Sequence, residues 1–265
     1  MGEGAKGGDP EGVDQSGPGP ASGDAIRRAA MDRPALPKRF YARAEARSVD
    51  GGFRVELDGR PVRTPGRQVV EVPSQPLAVR MAEEWSGQGE VIDPGTMPMV
   101  RLVNSALDGV AGAMEATAGE IVRYAGSDLL CYRADSPVRL ASLQHELWNP
   151  VLDWLRARFG ARFNVAEGVM FVAQPGESLS AIASAMPADP LRLAALNLLT
   201  TLSGSAFLAL AVWHGELEAE DAWRRAHLDE DVQAEVWGRD ALAEQRRATR
   251  WRDFEAAAIL LTTLK

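Results

Sequence analysis

The chain has 265 residues, of which 46% are apolar and 25% charged, and its formal net charge is −8. That is the balance of an ordinary globular protein, with enough apolar material for one large domain or two small ones. The acidic excess argues against general binding to nucleic acid, which needs a basic face to displace phosphate counterions, and against a lasting hold on an anionic membrane surface.

Residues 1–36 combine Gly, Pro and acids with almost no large apolar side chains before Met31, the composition of a disordered tail. The tail lacks the apolar centre of a signal peptide. It also carries Glu3, Asp9, Glu11, Asp14 and Asp24, which transit peptides avoid. From Arg39 the pattern is β. RFYARAEARSV, DGGFRVELDG, RPVRT and QVVEVPS alternate in part and are separated by Asp50-Gly51-Gly52, Asp58-Gly59 and Pro65-Gly66, which suit tight turns. A small antiparallel meander is expected. A helix follows, with Ser74 as cap, Pro76 in its first turn and Leu77, Met81 and Trp85 on one stripe. IDPGTMPM reads as a broken connector.

The remainder reads as helices. VRLVNSALDGV and MEATAGEIVRYAG are two. SPVRLASLQHELWNPVLDWLRARFG is a long one, with Ser136 as cap, Gly160 as stop and Pro150 expected to kink or divide it. GVMFVAQ suggests an isolated strand. Further helices are expected from about Ser178, through LRLAALNLLTTLSGSAFLALAVWHG, and as two acidic helices between Glu218 and Leu264. AFLALAVW, the longest apolar run, is far short of the ~18–20 residues of a membrane span. The expected fold class is α+β: a disordered tail (1–36), a β-rich N-terminal domain with one helix (37–98) and a larger, mostly helical domain (99–265).

Chemistry-bearing motifs are sparse. GxxxxGK[ST], GxSxG and HExxH are absent, and Gly87 and Gly89 lack the third glycine of a dinucleotide loop. Ser203, Gly204 and Ser205 read as small residues that let helices approach. The single cysteine excludes an intramolecular disulfide and points to a reducing compartment; Cys131, beside Leu129 and Leu130, reads as a small buried hydrophobe. His145, His214 and His227 are far apart, so no metal or cofactor is expected. The acids between Glu216 and Glu244 are numerous, and most should be solvated or paired with Arg224, Arg225, Arg239, Arg246 and Arg247. Glu235, in LDEDVQAEVWGRD (228–240), is different. It falls on or beside the stripe of Leu228 and Val232, so it should be half-buried. Two readings stand: a buried salt bridge to an arginine such as Arg239, or a charge at the edge of an apolar groove that takes a partner.

Six collinear motifs carry a family resemblance: LDGRPVRTP (57–65), AEEWSGQGEVIDPGTMPMVRLVNSALD (82–108), SDLLCYRADSP (127–137), QHELWNPVLDW (144–154), FLALAVWHGEL (207–217) and LDEDVQAEVWGRD. They resemble the ATP synthase F1 complex assembly factor family that serves the α subunit. The resemblance implies a non-enzymatic chaperone that binds the unassembled F1 α subunit and shields its interface until it joins β, and a monomer is expected. It implies no cofactor and no membrane insertion, and a bacterial cytoplasmic setting, the mitochondrial matrix being that of eukaryotic relatives. It marks Glu235 as functionally important, with Asp229, Glu230, Gln233, Trp237, Gly238 and Asp240 completing that motif. Trp85 matches the family's EW tryptophan, although its spacing with Leu77 and Met81 equally makes it a core anchor. One departure is visible: where the family places an acid shortly after WG–D, this chain has Leu242, with Glu244 two later. Such a chaperone needs an apolar groove rimmed by polar charge; the expectation is that the acidic helices present that rim to arginines on the client, so that binding weakens with salt. The other readings are an enzyme working in an acidic inter-domain groove and a general acidic adaptor.

Overall fold

The computed structural model describes residues 35–168 and 170–264, and a compact unit begins at Lys38. The expected tail lies outside the described residues except for Ala35 and Leu36. Strands β1 (Ala44–Val49) and β2 (Gly52–Leu57) form an antiparallel hairpin with Ala44 opposite Leu57 and Val49 opposite Gly52. The turn needs a left-handed residue, and Gly51 supplies it at φ 88°. A second tight turn, at Asp58 (φ 49°) and Gly59 (φ 78°), leads into β3 (Arg60–Pro61). β4 (Glu71–Val72) pairs with the other end of β2. Helix α1 (Gln75–Ser86) packs on β1 and β2. Leu77 and Met81 are fully buried there against Val55, Val70 and Val72, as their spacing requires. Pro76 occupies the first turn, but the Ser74 side chain makes no capping bond.

The helical part begins with α2 (Pro98–Asp108) and α3 (Met114–Ala125). Part of the expected connector, from Pro98 on, is already helix. β5 (Tyr132–Arg133) pairs in parallel with β6 (Ala166–Glu167), which brackets α4 (Val138–Phe159). The expected strand in GVMFVAQ is thus displaced to the residues before it, and Met170 and Phe171 are 78% and 71% exposed. Pro137, not Ser136, precedes α4, and Gly160 ends it at φ 68° as expected.

Pro150 does not divide α4, which runs unbroken for 22 residues. A proline inside a helix costs about 3 kcal/mol by removing a hydrogen bond and crowding the previous turn. Here Trp148, Val151 and Leu155, on either side of it, are all buried. Three such side chains contribute roughly 1.5–3 kcal/mol each, so packing outweighs the local defect.

The long apolar stretch expected as one helix is two, α6 (Pro190–Ser203) and α7 (Ala206–His214), preceded by the short α5 (Gly176–Ser184). Gly204, at φ 71°, reverses the backbone between them. No atom would meet a Cβ added there, so Gly204→Ala is strained by conformation alone. Urea unfolding should show a loss of about 1–2 kcal/mol; an unchanged midpoint would mean that the left-handed turn carries no constraint. α6 is the hub, packed by α2, α3, α7 and α10 (Ala241–Thr263). α7 is buried on every side from Ala206 to Val212, which explains its lack of a polar stripe. Between α7 and α10 lie α8 (Ala219–Ala226) and α9 (Leu228–Trp237), so the acidic region holds three helices where two were expected. Gly238, at φ 88°, closes α9 and separates it from α10.

Candidate functional site

The motif LDEDVQAEVWGRD forms α9 and the corner into α10. Leu228 and Val232 are buried and seat the first two turns. The stripe then leaves the core: Val236 is 67% exposed and Trp237 86%. Leu242, just past the corner, is 68% exposed. Three large apolar side chains at one helix corner is an unusual allotment for a protein surface.

Four of the five acids of the motif have a defined partner. Asp229 accepts a 2.8 Å hydrogen bond from the Gln144 side chain on α4. Gln144 is itself buried and accepts from the Ala134 backbone N–H at 2.8 Å. Asp231 receives both terminal nitrogens of Arg247, one at 3.0 Å. Asp240 caps α10, accepting from the Ala243 backbone N–H at 2.7 Å. Arg239 pairs with Glu244 at 3.1 Å. Glu235 pairs with Arg139 at 2.5 Å, and its side chain is 52% exposed.

The expectation for Glu235 is therefore corrected in two respects. Its partner is Arg139 of the first turn of α4, not Arg239. It is also exposed, because the burial stripe of α9 ends at Val232, one turn before it. The sequence spacing extended a stripe that the helix does not keep buried to its end.

The predicted residues of the motif share one corner but not one pocket. Glu235 lines a groove with Trp223, Asp231, Arg247 and Trp251. Glu230, Gln233, Trp237 and Asp240 line a second groove with Arg246 and Arg250. Trp85 lines neither. It is partly buried beside Tyr41 (ring centroids 5.7 Å apart), and its carbonyl accepts the Tyr41 hydroxyl at 2.6 Å. Sequence reasoning missed Arg139, and it missed the exposed apolar residues Val138 (79%) and Phe171 (71%). The adjacent Met170 and Phe171 between turn residues were the available signal, and they were read as a strand.

Chemical groups elsewhere are engaged in structure. Cys131 is fully buried, and loss of hydration pushes its thiol up to about 12, so no thiolate nucleophile forms near neutrality. His227 is buried, with Nδ1 2.8 Å from the Trp223 carbonyl, and burial lowers its pKa. Ser203-Gly204-Ser205 does precede a helix N-terminus, but that terminus is already filled. The Asp128 carboxylate accepts from the Ser205 hydroxyl at 2.7 Å and from the Phe207 N–H at 3.1 Å. Among the described residues no group of His, Cys, Asp or Glu is arranged to hold a metal ion, and no helix is long and apolar enough to cross a membrane.

Comparison with known proteins gives the corner its context. The family model "ATP12 chaperone protein" matches residues 38–156. The crystal structure of an Agrobacterium tumefaciens protein, described as a candidate chaperone, is 45% identical with a TM-score of 0.83 and covers 94% of this chain and 93% of its own. Atp12 from Paracoccus denitrificans is 39% identical with a TM-score of 0.79, over 86% of this chain and 99% of that one. The mitochondrial protein atp12 of Schizosaccharomyces pombe is 22% identical over 76% of this chain and 74% of its own length. With 39% identity to Atp12 of Paracoccus denitrificans over nearly the whole of that chain, and the family model matching residues 38–156, the chain belongs to the ATP12 chaperone family.

Proposed function

We propose that this protein binds the unassembled F1 ATP synthase α subunit and covers the surface it later presents to β, acting as a monomer in the bacterial cytoplasm. The observation that carries this reading is the apolar corner of Val236, Trp237 and Leu242, which a family of chaperones would not expose without an occupant. Glu230 and Gln233 flank it and are the polar rim; Glu235, Asp229 and Asp240 hold the helices that present it. A tagged full chain incubated with lysate should recover the α subunit without stoichiometric β. Recovery of intact F1, or of no ATP synthase subunit, would refute the proposal.

The charges near the corner are largely balanced within the chain, by Arg247 on Asp231, Arg139 on Glu235 and Arg239 on Glu244. This supports an apolar grip more than attraction between an acidic face and client arginines. Exposed pairs are screened over roughly 3–10 Å as ionic strength rises toward 1 M. Affinity for isolated α subunit should therefore change less than about threefold between 0.1 and 0.5 M salt, whereas a contact made chiefly of unpaired charges loses far more. Titration by fluorescence at the two salt concentrations decides between them.

A further inference from the structure

Helix α4 is tied to α8 and α9 by a ladder of polar rungs, met in descending order on α4 and in ascending order on α8 and α9; beside the first of them the Arg225 guanidinium donates back to the Leu147 carbonyl. Trp148 donates from its indole nitrogen to the Arg225 carbonyl at 3.0 Å. Gln144 donates to Asp229 at 2.8 Å. Arg139 pairs with Glu235 at 2.5 Å. Trp148 and Gln144 are each 1% exposed, so the first two rungs belong to the packed interior. The third is at the surface, with side-chain exposures of 64% and 52%.

The position of that outer rung matters. The last turn of α9 has no buried residue to seat it, since Glu235, Val236 and Trp237 are all exposed. The turn's backbone continues only as far as the Gly238 N–H on the Ala234 carbonyl. Among the described residues, the Arg139–Glu235 pair is the side-chain tie between this turn and the rest of the fold.

From this geometry we infer that Arg139 is a positioning residue: it acts through Glu235 to hold the last turn of α9 against α4, so that the Val236–Trp237 corner meets the client in one fixed orientation. An exposed ion pair adds little to global stability. Its effect is to fix one orientation of a short unseated turn, which a client then meets already ordered instead of ordering it on binding. The inference rests on the proposed function for its client, and on the ion pair alone for the latch.

The test uses the full chain as Arg139→Glu, as Glu235→Arg and as the double exchange of both. Each is read in two ways: amide hydrogen exchange over residues 233–238 in the free protein, and affinity for isolated F1 α subunit. Each single reversal should speed exchange in that turn and weaken binding by about tenfold, a loss of the size that one ordering step can produce. The double exchange should restore slow exchange and bring affinity back to within about threefold of the parent. Restored exchange with binding still weak would mean that Glu235 touches the client itself, and would overturn the positioning role. Unchanged exchange in Arg139→Glu would overturn the latch. A parent chain that does not bind α subunit at all refutes the proposed client, and the exchange data still decide whether the latch exists.

Discussion

Trp237→Ser is expected to weaken capture of the F1 α subunit by about thirtyfold while leaving the fold intact. Tryptophan is among the residues that dominate binding interfaces, where truncation at a well-packed centre costs 2 kcal/mol or more, about thirtyfold in affinity. Here the side chain is 86% exposed at the end of α9, so the folded chain gives it almost no contacts to lose. Changes at such positions lie within about 0.5 kcal/mol of the parent in stability. The pairing of a large binding loss with an unchanged urea midpoint is the signature of a contact residue. A normal affinity would remove the corner from the client surface, and a shifted midpoint would show that Trp237 packs within the fold. Trp148→Ala should give the reverse pattern, because Trp148 is buried and bonded to Arg225.

The second large effect concerns Asp128, fully buried beneath the junction of α6 and α7. Its carboxylate accepts from the Leu130 N–H at 3.0 Å, the Ser205 hydroxyl at 2.7 Å and the Phe207 N–H at 3.1 Å. It thereby secures the turn before β5 to the start of α7. Asp128→Ala would leave three buried donors unsatisfied, and each costs about 1–3 kcal/mol, so a loss of at least about 3 kcal/mol is expected in urea unfolding.

The same residue makes stability depend on pH. Loss of hydration pushes Asp128 up to about 7, more than the hydrogen bonds from Leu130, Ser205 and Phe207 pull it down. Its value in the unfolded chain is about 3.9. The folded state thus holds this proton more tightly, and the contribution is full below about pH 4 and lost as pH rises through about 7. Asp128→Asn cannot titrate, so its stability should fall less than the parent's between pH 5 and pH 8. Parallel slopes for the two chains would show that the carboxylate stays ionised throughout. The burial and donor set of Asp128 also explain why no anion site is expected at the N-terminus of α7: the chain supplies its own carboxylate.

Much of the fold is legible in the sequence where the deciding forces are local. The turns at Gly51 and Gly59 need positive φ, and the sequence places glycine there. Leu77 and Met81 repeat at helical spacing and are both buried. Gly160 stops α4 where expected. Local reasoning failed where two local signals competed or where a distant partner settled the matter. Gly204 sat within an otherwise ideal helical run, and its role as a reversal depends on α6 packing beside α7 and on Asp128 filling the gap. Pro150 carried a strong break signal, and burial on both sides of it overrode that signal.

The site divides in the same way. LDEDVQAEVWGRD could be picked out from its acids, its apolar spacing and its resemblance to one family, because all of these are properties of a short segment. The partner of Glu235 could not be found so. Arg139 lies 96 residues away in sequence, and many arginines were nearer. By itself the sequence determined the α+β order of elements and the turns, and it singled out one candidate segment. The tertiary structure alone decided which side chains of that segment face solvent and which arginine meets Glu235, because burial and ion pairing are set by what packs across from a residue and not by what precedes it.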